Sequence, residues 1–142
     1  MPNSKTKGDL TESMVIHELI SRGGQVAIPF GDNAKYDLVV EDQAGVLHRI
    51  QCKTAWKPSP DTVRFNTHSQ TTRDGQYHET GYEGSIDAFV ARLPETETLY
   101  WVDIQDAPSR KMLLRYEAAI DHPAINWAAD FELDEEIPPR RP

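Results

Sequence analysis

The chain has 142 residues, of which 38% are hydrophobic, and its formal net charge is −8 at pH 7. This length suits a single globular domain, and no run of about eighteen apolar residues is present that would cross a bilayer. A lone cysteine, Cys52, excludes a disulfide framework, and the N-terminal residues lack the apolar core of a signal peptide, so we expect a cytoplasmic protein.

The negative charge is unevenly distributed along the chain. Residues 1–78 carry nine acidic and nine basic side chains, whereas residues 79–142 carry fourteen acidic and six basic ones. Between residues 49 and 73 there are five basic side chains and one acidic side chain, which indicates either a locally basic face or an ordinary solvated surface. The overall charge argues against a polyanionic partner, but this distribution leaves nucleic acid open.

The first predicted element is a helix over residues 7–22. Thr6 is the expected N-cap, Asp9 lies in the first turn, and Gly23–Gly24 is typical of a helix C-terminus.

Glu12 lies on the apolar face of this helix. It is spaced from Ile16 and Leu19 by four and seven residues, which places all three on one side together with Val15. The alternative is that Glu12 simply complements the helix dipole near the N-terminus.

Three strands follow the helix. We predict them over residues 25–30, 36–41 and 46–56, with a "GDNAK" loop after the first. Residues 43–45 form a three-residue hairpin loop that ends at Gly45.

This loop length sets the register of the second and third strands. It places Asp37 opposite Gln51 and Lys35 opposite Lys53. Since side chains alternate along a strand, Asp37, Gln51 and Lys53 share one face of the sheet. The other face holds the apolar set Leu38, Val40, Ile50 and Cys52.

The second half of the chain contains further strands and one polar segment. Residues 62–69 predict a fourth strand, whereas residues 69–84 are polar without periodicity, which is typical of a functional or mobile segment. Residues 86–93 and 99–104 predict another hairpin. Residues 111–120 are compatible with a strand or a helix.

The C-terminal residues are acidic and rich in proline. The tail from residue 130 combines an acidic run with three prolines, and we expect residues 134–142 to be flexible.

Five groups on the helix and the hairpin suit phosphodiester hydrolysis, which requires a divalent cation, a positioned water and stabilisation of the phosphate charge. Asp37 is the expected principal metal ligand, and Glu12 supplies a second carboxylate, directly or through water. Gln51 offers an amide oxygen, the backbone carbonyl of Cys52 completes the shell, and Lys53 stabilises the phosphate or positions the water. A structural ion pair between Asp37 and Lys53 is the alternative, but it explains neither Gln51 nor Glu12.

The order of these residues resembles the PD-(D/E)XK nuclease superfamily, in which a helix carries Glu, one strand carries Asp and the next carries (D/E/Q)-x-K. The chain is most similar to the group I intron-associated homing endonucleases of that superfamily, whose usual motif is QxK. The segments that carry the resemblance are "KGDLTESMVIHELISRGGQVAIPFGDNAKYDLVVE", "IQCKT", "FNTHS", "IDAFVA", "YWVDI" and "INWAADFEL". Cys52 stands where a β-branched apolar residue is more typical.

The resemblance implies a single nuclease domain over residues 1–142 with a restriction-endonuclease-like α/β (α+β) core, in which helices flank a central mixed β-sheet. It implies Mg²⁺-dependent cleavage of double-stranded DNA, with Mn²⁺ as a substitute, and a homodimer or homotetramer. It assigns Glu12, Asp37, Gln51 and Lys53 to the active site.

Side chains that can contact phosphates or base edges follow the catalytic hairpin. The predicted DNA-binding residues are Lys35, Lys57, Arg64, Asn66, Thr67, His68, Gln70 and Arg73. By contrast, we expect Trp56, Tyr82 and Trp101 to be packing residues rather than base-stacking platforms.

Three other functions compete with the homing endonuclease. The first is a structure-specific nuclease that resolves Holliday junctions. The second is a DNA-binding module that has lost catalysis, and the third is a structural or protein-binding domain, which the acidic second half favours. The intact set of four active-site residues argues against both non-enzymatic functions.

Overall fold

The computed structural model describes residues 3–31, 33–73 and 76–139, and gives residues 69–73 and 76–80 by their backbone alone. Helices, strands and one turn of 3₁₀ helix make up the described chain. In order they are α1 (Ser4–Ser21), β1 (Gln25–Ala27), β2 (Leu38–Glu41), β3 (Leu47–Thr54), β4 (Trp56–Ser59), β5 (Thr62–Asn66), β6 (Ser69–Arg73), β7 (Gln76–Thr80), β8 (Ala88–Leu93), β9 (Thr98–Asp103), the 3₁₀ turn (Ile104–Asp106), β10 (Lys111–Arg115) and α2 (Ala128–Phe131).

A five-stranded mixed sheet forms the centre of the fold. Its strand order is β1-β2-β3-β8-β9, and only the β3–β8 pair is parallel. A three-stranded antiparallel sheet, β10-β5-β4, packs against it, and β6 and β7 form a separate hairpin. The predicted α/β core with a central mixed sheet is therefore confirmed.

Two hydrophobic cores lie on opposite faces of the central sheet. The helix-side core packs α1 against the sheet and consists of Val15, Leu19, Leu38, Val40, Ile50, Ala88, Val90, Leu99, Trp101 and Leu133. The sheet-side core lies between the two larger sheets and consists of Ala55, Val63, Phe65, Tyr82, Ile86, Phe89, Ala91, Leu93, Tyr100, Val102, Met112, Leu114, Ala128 and Phe131. Alternate residues of β8 belong to the two cores, which explains why five of its six residues are buried.

The helix begins three residues earlier than predicted. Its N-cap is Asn3, whose side-chain oxygen accepts a hydrogen bond from the Thr6 N–H at 2.9 Å, so Thr6 lies within the helix. Asparagine caps helices as well as threonine does, and the expectation of a Thr6 cap was wrong. The helix ends at Ser21, and Gly23 has a φ of +87°, which confirms the predicted C-terminus.

The loop between β2 and β3 has the predicted length and register. Leu38 pairs with Ile50, and the Asp42 N–H donates to the Val46 carbonyl at 2.9 Å across residues 43–45. Gly45 adopts a φ of +84°, in the left-handed region that favours glycine.

The second strand is shorter than expected at its start. Because β2 begins at Leu38, the predicted pairing of Lys35 with Lys53 does not form, and Asp37 lies just before the strand.

Other strand boundaries differ from the predicted ones, because pairing with neighbouring strands sets where each strand begins and ends. The first strand stops at Ala27, and Trp56 begins β4 instead of ending β3. The fourth strand stops at Asn66, and the polar segment contains the β6–β7 hairpin rather than only irregular chain. The ambiguous segment at residues 111–120 is a strand over Lys111–Arg115, where it pairs with β5.

The C-terminal segment packs on the central sheet. The Leu133 N–H donates to the Leu99 carbonyl at 2.8 Å, and Ile137 packs against the helix-side core. No helix in the described part of the chain is both long enough and apolar enough to span a membrane.

We predict opposite stability changes for the same substitution at two glycines. A Cβ at Gly45 or at Gly8 meets no atom within 4 Å, so the backbone conformation alone decides the outcome. Gly45→Ala should lower the free energy of unfolding by roughly 1 kcal/mol because of its positive φ. Gly8→Ala, within the exposed part of α1, should raise it by roughly 0.5–1 kcal/mol. Urea denaturation measures both, and equal shifts of the same sign would contradict this account of the hairpin loop.

Candidate active site

Two backbone contacts place Asp37 opposite Gln51. The Asp37 N–H donates to the Ile50 carbonyl at 2.8 Å, and the Cys52 N–H donates to Asp37 Oδ2 at 2.8 Å. These contacts lie on the two neighbours of Gln51, so the juxtaposition predicted from the hairpin register is confirmed.

The side chains of β3 alternate between the two faces of the central sheet. Ile50 is fully buried in the helix-side core, and the Cys52 side chain packs against that core. Gln51 and Lys53 therefore project from the opposite face, as predicted.

Lys53 is bound by two oxygen acceptors. Its Nζ donates to the His68 carbonyl at 3.2 Å and to Tyr82 Oη at 3.1 Å, and it lies 4.9 Å from the centroid of the Tyr82 ring. Among the ion pairs of the described residues, none joins Lys53 to Asp37 within 4.0 Å. The structural ion pair considered as the alternative is therefore not formed.

The two carboxyl groups of the site are both destabilised as anions. Burial is the main cause that raises the pKa of Asp37, and the Cys52 N–H and the Lys53 charge act against it. Burial also raises the pKa of the half-buried Glu12, and the negative charges of Asp37 and Asp9 raise it further. Glu12 and Asp37 thus interact electrostatically although they lie on different elements.

Glu12 lies beside the buried stripe of α1. The stripe itself consists of Thr11, Val15 and Leu19, so the helix is turned slightly from the face predicted around Glu12 and Ile16. Glu12 is half-buried, and its charge interacts with that of Asp37. A residue that only complemented the helix dipole could remain fully exposed.

The oxygen donors fit a hard divalent cation. The candidate ligands are the carboxyl groups of Asp37 and Glu12, the amide oxygen of Gln51 and the backbone carbonyl of Cys52. Mg²⁺ typically takes one or two carboxylates from a protein and several further ligands from water. In the described ranges, no three His, Cys, Asp or Glu side chains cluster closely enough to bind a metal by themselves.

The thiol of Cys52 is kept neutral. Burial raises its pKa well above the usual value, and the charges of Asp37 and Glu12 act in the same direction. The contact of Cys52 with Asp37 is made by its backbone N–H, not by the thiol.

Thr67 and His68 lie in the interior rather than on an open surface. They are 3% and 5% exposed. The Thr67 hydroxyl donates to the Pro108 carbonyl at 2.6 Å, the Thr67 N–H donates to the Arg110 carbonyl at 2.8 Å, and His68 Nδ1 lies 2.9 Å from the same oxygen. They thereby hold residues 108–110 as one wall of a cleft of about 350 Å³, which Tyr82 and Glu83 also line.

The remaining predicted DNA-binding residues are spread over several elements. Lys35 is exposed between β1 and β2, and Lys57 on β4 has its Nζ 5.0 Å from the Tyr116 ring centroid. Arg64 and Asn66 alternate with the buried residues of β5, and Asn66 Oδ1 is a buried acceptor without a partner among the described residues. Gln70 and Arg73 lie on β6, and their side chains are outside the description.

From the sequence, Tyr82 is expected only to pack in the interior. The ring does pack, with its centroid 5.4 Å from that of Phe89 in an edge-to-face arrangement, and it is 5% exposed. Its hydroxyl, however, accepts the hydrogen bond from Lys53. No spacing in the chain indicated this contact, because the two residues are separated by 29 positions. Trp101 is buried as expected, whereas Trp56 is 37% exposed.

Known proteins resemble this chain in sequence and in fold. A family model described as PD-(D/E)XK endonuclease matches residues 2–134. The chain belongs to the PD-(D/E)XK endonuclease family. The fold is similar to that of a solved bacterial homing endonuclease, I-Ssp6803I, with a TM-score of 0.75, 23% sequence identity, and coverage of 92% of this chain and 89% of that chain. None of the curated proteins matches the sequence.

The fold match supports the restriction-endonuclease-like architecture that the sequence predicted. PD-(D/E)XK nucleases generally use divalent metals, which agrees with the oxygen donors found here.

We predict that Asp37→Asn stabilises the metal-free protein at neutral pH. Because the pKa of Asp37 is raised above 3.8 in the folded protein, ionisation costs folding stability as pH rises through that pKa. Asparagine still accepts the Cys52 N–H but carries no charge. The variant should gain melting temperature over wild type at pH 7 in chelator, and the gain should shrink at pH 3.

Asp42→Asn is the control of opposite sign. His48 and two backbone N–H groups lower the pKa of Asp42 below 3.8, so its stabilising effect is present at pH 7 and lost as pH falls through the lowered pKa. This variant should lose stability at pH 7. A lower melting temperature for Asp37→Asn than for wild type at pH 7 would refute the burial argument.

Proposed function

We propose that this protein is a Mg²⁺-dependent endonuclease that hydrolyses phosphodiester bonds in double-stranded DNA, in the manner of a homing endonuclease. The observation that carries the proposal is the hydrogen bond from the Cys52 N–H to Asp37 Oδ2, which holds this carboxylate opposite Gln51 on the strand that also carries Lys53.

Four groups are proposed to hold the cation. Asp37 is the principal ligand, and Glu12 acts directly or through a water. The Gln51 amide oxygen and the Cys52 carbonyl complete the protein's share, and Mn²⁺ can substitute for Mg²⁺. When bound, the cation supplies a positive charge that neutralises the phosphate and favours the ionised forms of both carboxyls.

Lys53 and Gln51 act on the substrate and the water. A lysine ammonium has three N–H donors, and the described acceptors take two of them. The third is available to a phosphate oxygen or to the attacking water, where positive charge stabilises the transition state. The Gln51 amide is proposed to orient the same water.

The resemblance to homing endonucleases supports an oligomer that uses one Asp37–Gln51–Lys53 site for each DNA strand. We propose a homodimer or homotetramer that presents one site to each strand. Lys35, Lys57, Arg64, Asn66, Gln70 and Arg73 are proposed to contact the DNA, and Thr67 and His68 to shape the cleft.

Cleavage of defined DNA tests the proposed activity. Wild type should cut linear duplex DNA with Mg²⁺ or Mn²⁺ and stop when metal is chelated. Asp37→Ala and Lys53→Ala should each lower the single-turnover rate by at least about 100-fold, since each removes charge stabilisation at the phosphate.

Asp121→Ala and Lys5→Ala are matched controls, because they make the same substitutions at exposed residues in the segment after β10 and at the start of α1. They should cut at the wild-type rate. Undiminished cutting by both Asp37→Ala and Lys53→Ala would refute the assignment of these residues to the active site. Symmetric nicks found only at a four-way junction would assign the chain to junction resolution instead.

Metal binding can be measured without DNA. A cation that binds only the folded state stabilises it by about 2.7 kcal/mol at 100 times its Kd. Mg²⁺ or Mn²⁺ should therefore raise the melting temperature of wild type, and this increase should be absent in Asp37→Asn. The same increase in both proteins would show that the cation binds elsewhere.

A further inference from the structure

Tyr82 combines full burial with a polar contact. It lies in the turn that precedes β8, is 5% exposed and belongs to the sheet-side core, where phenylalanine would pack equally well. A buried hydroxyl lowers stability unless it forms a hydrogen bond. The described partner of this hydroxyl is the ammonium group of Lys53, at 3.1 Å.

The second acceptor of Lys53 is also held from outside the catalytic hairpin. The His68 carbonyl accepts from Lys53 Nζ at 3.2 Å. Its position depends on hydrogen bonds made by residues 67–68. The Thr67 hydroxyl donates to the Pro108 carbonyl, and the Thr67 N–H and the His68 ring contact the Arg110 carbonyl. The lysine ammonium is thus held between a core tyrosine and the wall of the cleft.

Two fixed acceptors restrict a long and flexible side chain. Holding the ammonium in one place costs the lysine side chain much conformational entropy. When the two acceptors already hold it in the folded protein, this cost does not add to the barrier of the reaction. The two acceptors orient Nζ, and its third N–H is not donated to any described acceptor. The contact is therefore suited to orienting the charge before the DNA arrives.

We propose that Tyr82 is a positioning residue, whose hydroxyl, with the His68 carbonyl, holds Lys53 Nζ in the orientation used for hydrolysis. This inference rests on the proposed nuclease function, since it assigns Tyr82 a role through Lys53. Tyr82 itself is not assigned a contact with the reacting atoms.

The test compares one substitution at two buried tyrosines. Tyr82→Phe keeps the ring in the core and removes only the hydroxyl. Tyr100→Phe is the matched control, because Tyr100 is 1% exposed and its hydroxyl bonds to Tyr116 Oη at 2.9 Å instead of to the site. Melting temperatures establish that both variants fold.

Cleavage kinetics should separate orientation from DNA binding. Tyr82→Phe should lower kcat roughly 10- to 100-fold and leave KM within about twofold of wild type, because misplacement of a catalytic group affects the chemical step. Tyr100→Phe should leave both parameters unchanged. Unchanged or increased kcat in Tyr82→Phe, or an equal fall in Tyr100→Phe, would overturn the proposal.

Nuclear magnetic resonance of the lysine ammonium groups provides a second readout that needs no activity. The chain has six lysines, and Lys53→Arg identifies the Lys53 signal. Tyr82→Phe should shift this signal and speed its exchange with water, whereas Tyr100→Phe should not.

Thr67→Val, which loosens the segment carrying the His68 carbonyl, should shift the Lys53 signal in the same way and provides an independent variant if Tyr82→Phe is poorly folded. An unmoved Lys53 signal in the folded variants would refute the positioning role. If wild type cuts no DNA, the proposed function fails, whereas the resonance experiment still decides how Lys53 is held.

Discussion

The hydrogen bond from the Cys52 N–H to Asp37 Oδ2 is the contact on which the site depends. It joins Asp37, which lies just before β2, to Cys52 on β3. The regular pairing of the two strands begins at the next residue, Leu38. A partly buried carboxylate is unfavourable, as the raised pKa of Asp37 shows, and the backbone donor offsets part of that cost. The result is an acidic group kept in position beside Gln51 before any cation is bound.

The rest of the fold keeps this arrangement rigid from both faces of the sheet. On one face, α1 packs into the helix-side core and brings Glu12 toward Asp37. On the other, the three-stranded sheet and Tyr82 fill the sheet-side core, and Lys53 lies along its margin. Residues fully buried in these cores each contribute roughly 1.5–3 kcal/mol, so the strands that carry the site cannot shift without a large loss of stability. The candidate catalytic groups come from separate elements, and the two cores hold those elements together.

Predictions from the sequence succeeded where short-range rules apply. Hairpin register follows from loop length and Gly45, and it correctly placed Asp37 by Gln51 and the apolar residues of β2 and β3 on the helix side. They were wrong where two local solutions compete, as at the Asn3 cap, or where a partner strand decides, as for the β6–β7 hairpin. Pairing with β5 also decided between strand and helix for β10, which the sequence left open. Thr67 and His68 looked like surface residues because polar side chains usually are, yet backbone carbonyls at residues 108–110 satisfy them in the interior.

The sequence by itself determined the family, the central hairpin and the identity of the four candidate catalytic residues. Alternation along strands, loop length and the order of charged residues depend on neighbours within a few positions, and those neighbours are readable from the chain. Only the tertiary structure decided that Lys53 is bound by Tyr82 and the His68 carbonyl. It also decided that burial raises the pKa of Glu12 and Asp37, and that the charge of Asp37 raises the pKa of Glu12 further. Those properties arise because distant segments pack together, and contacts between residues that are far apart in the chain leave no local pattern.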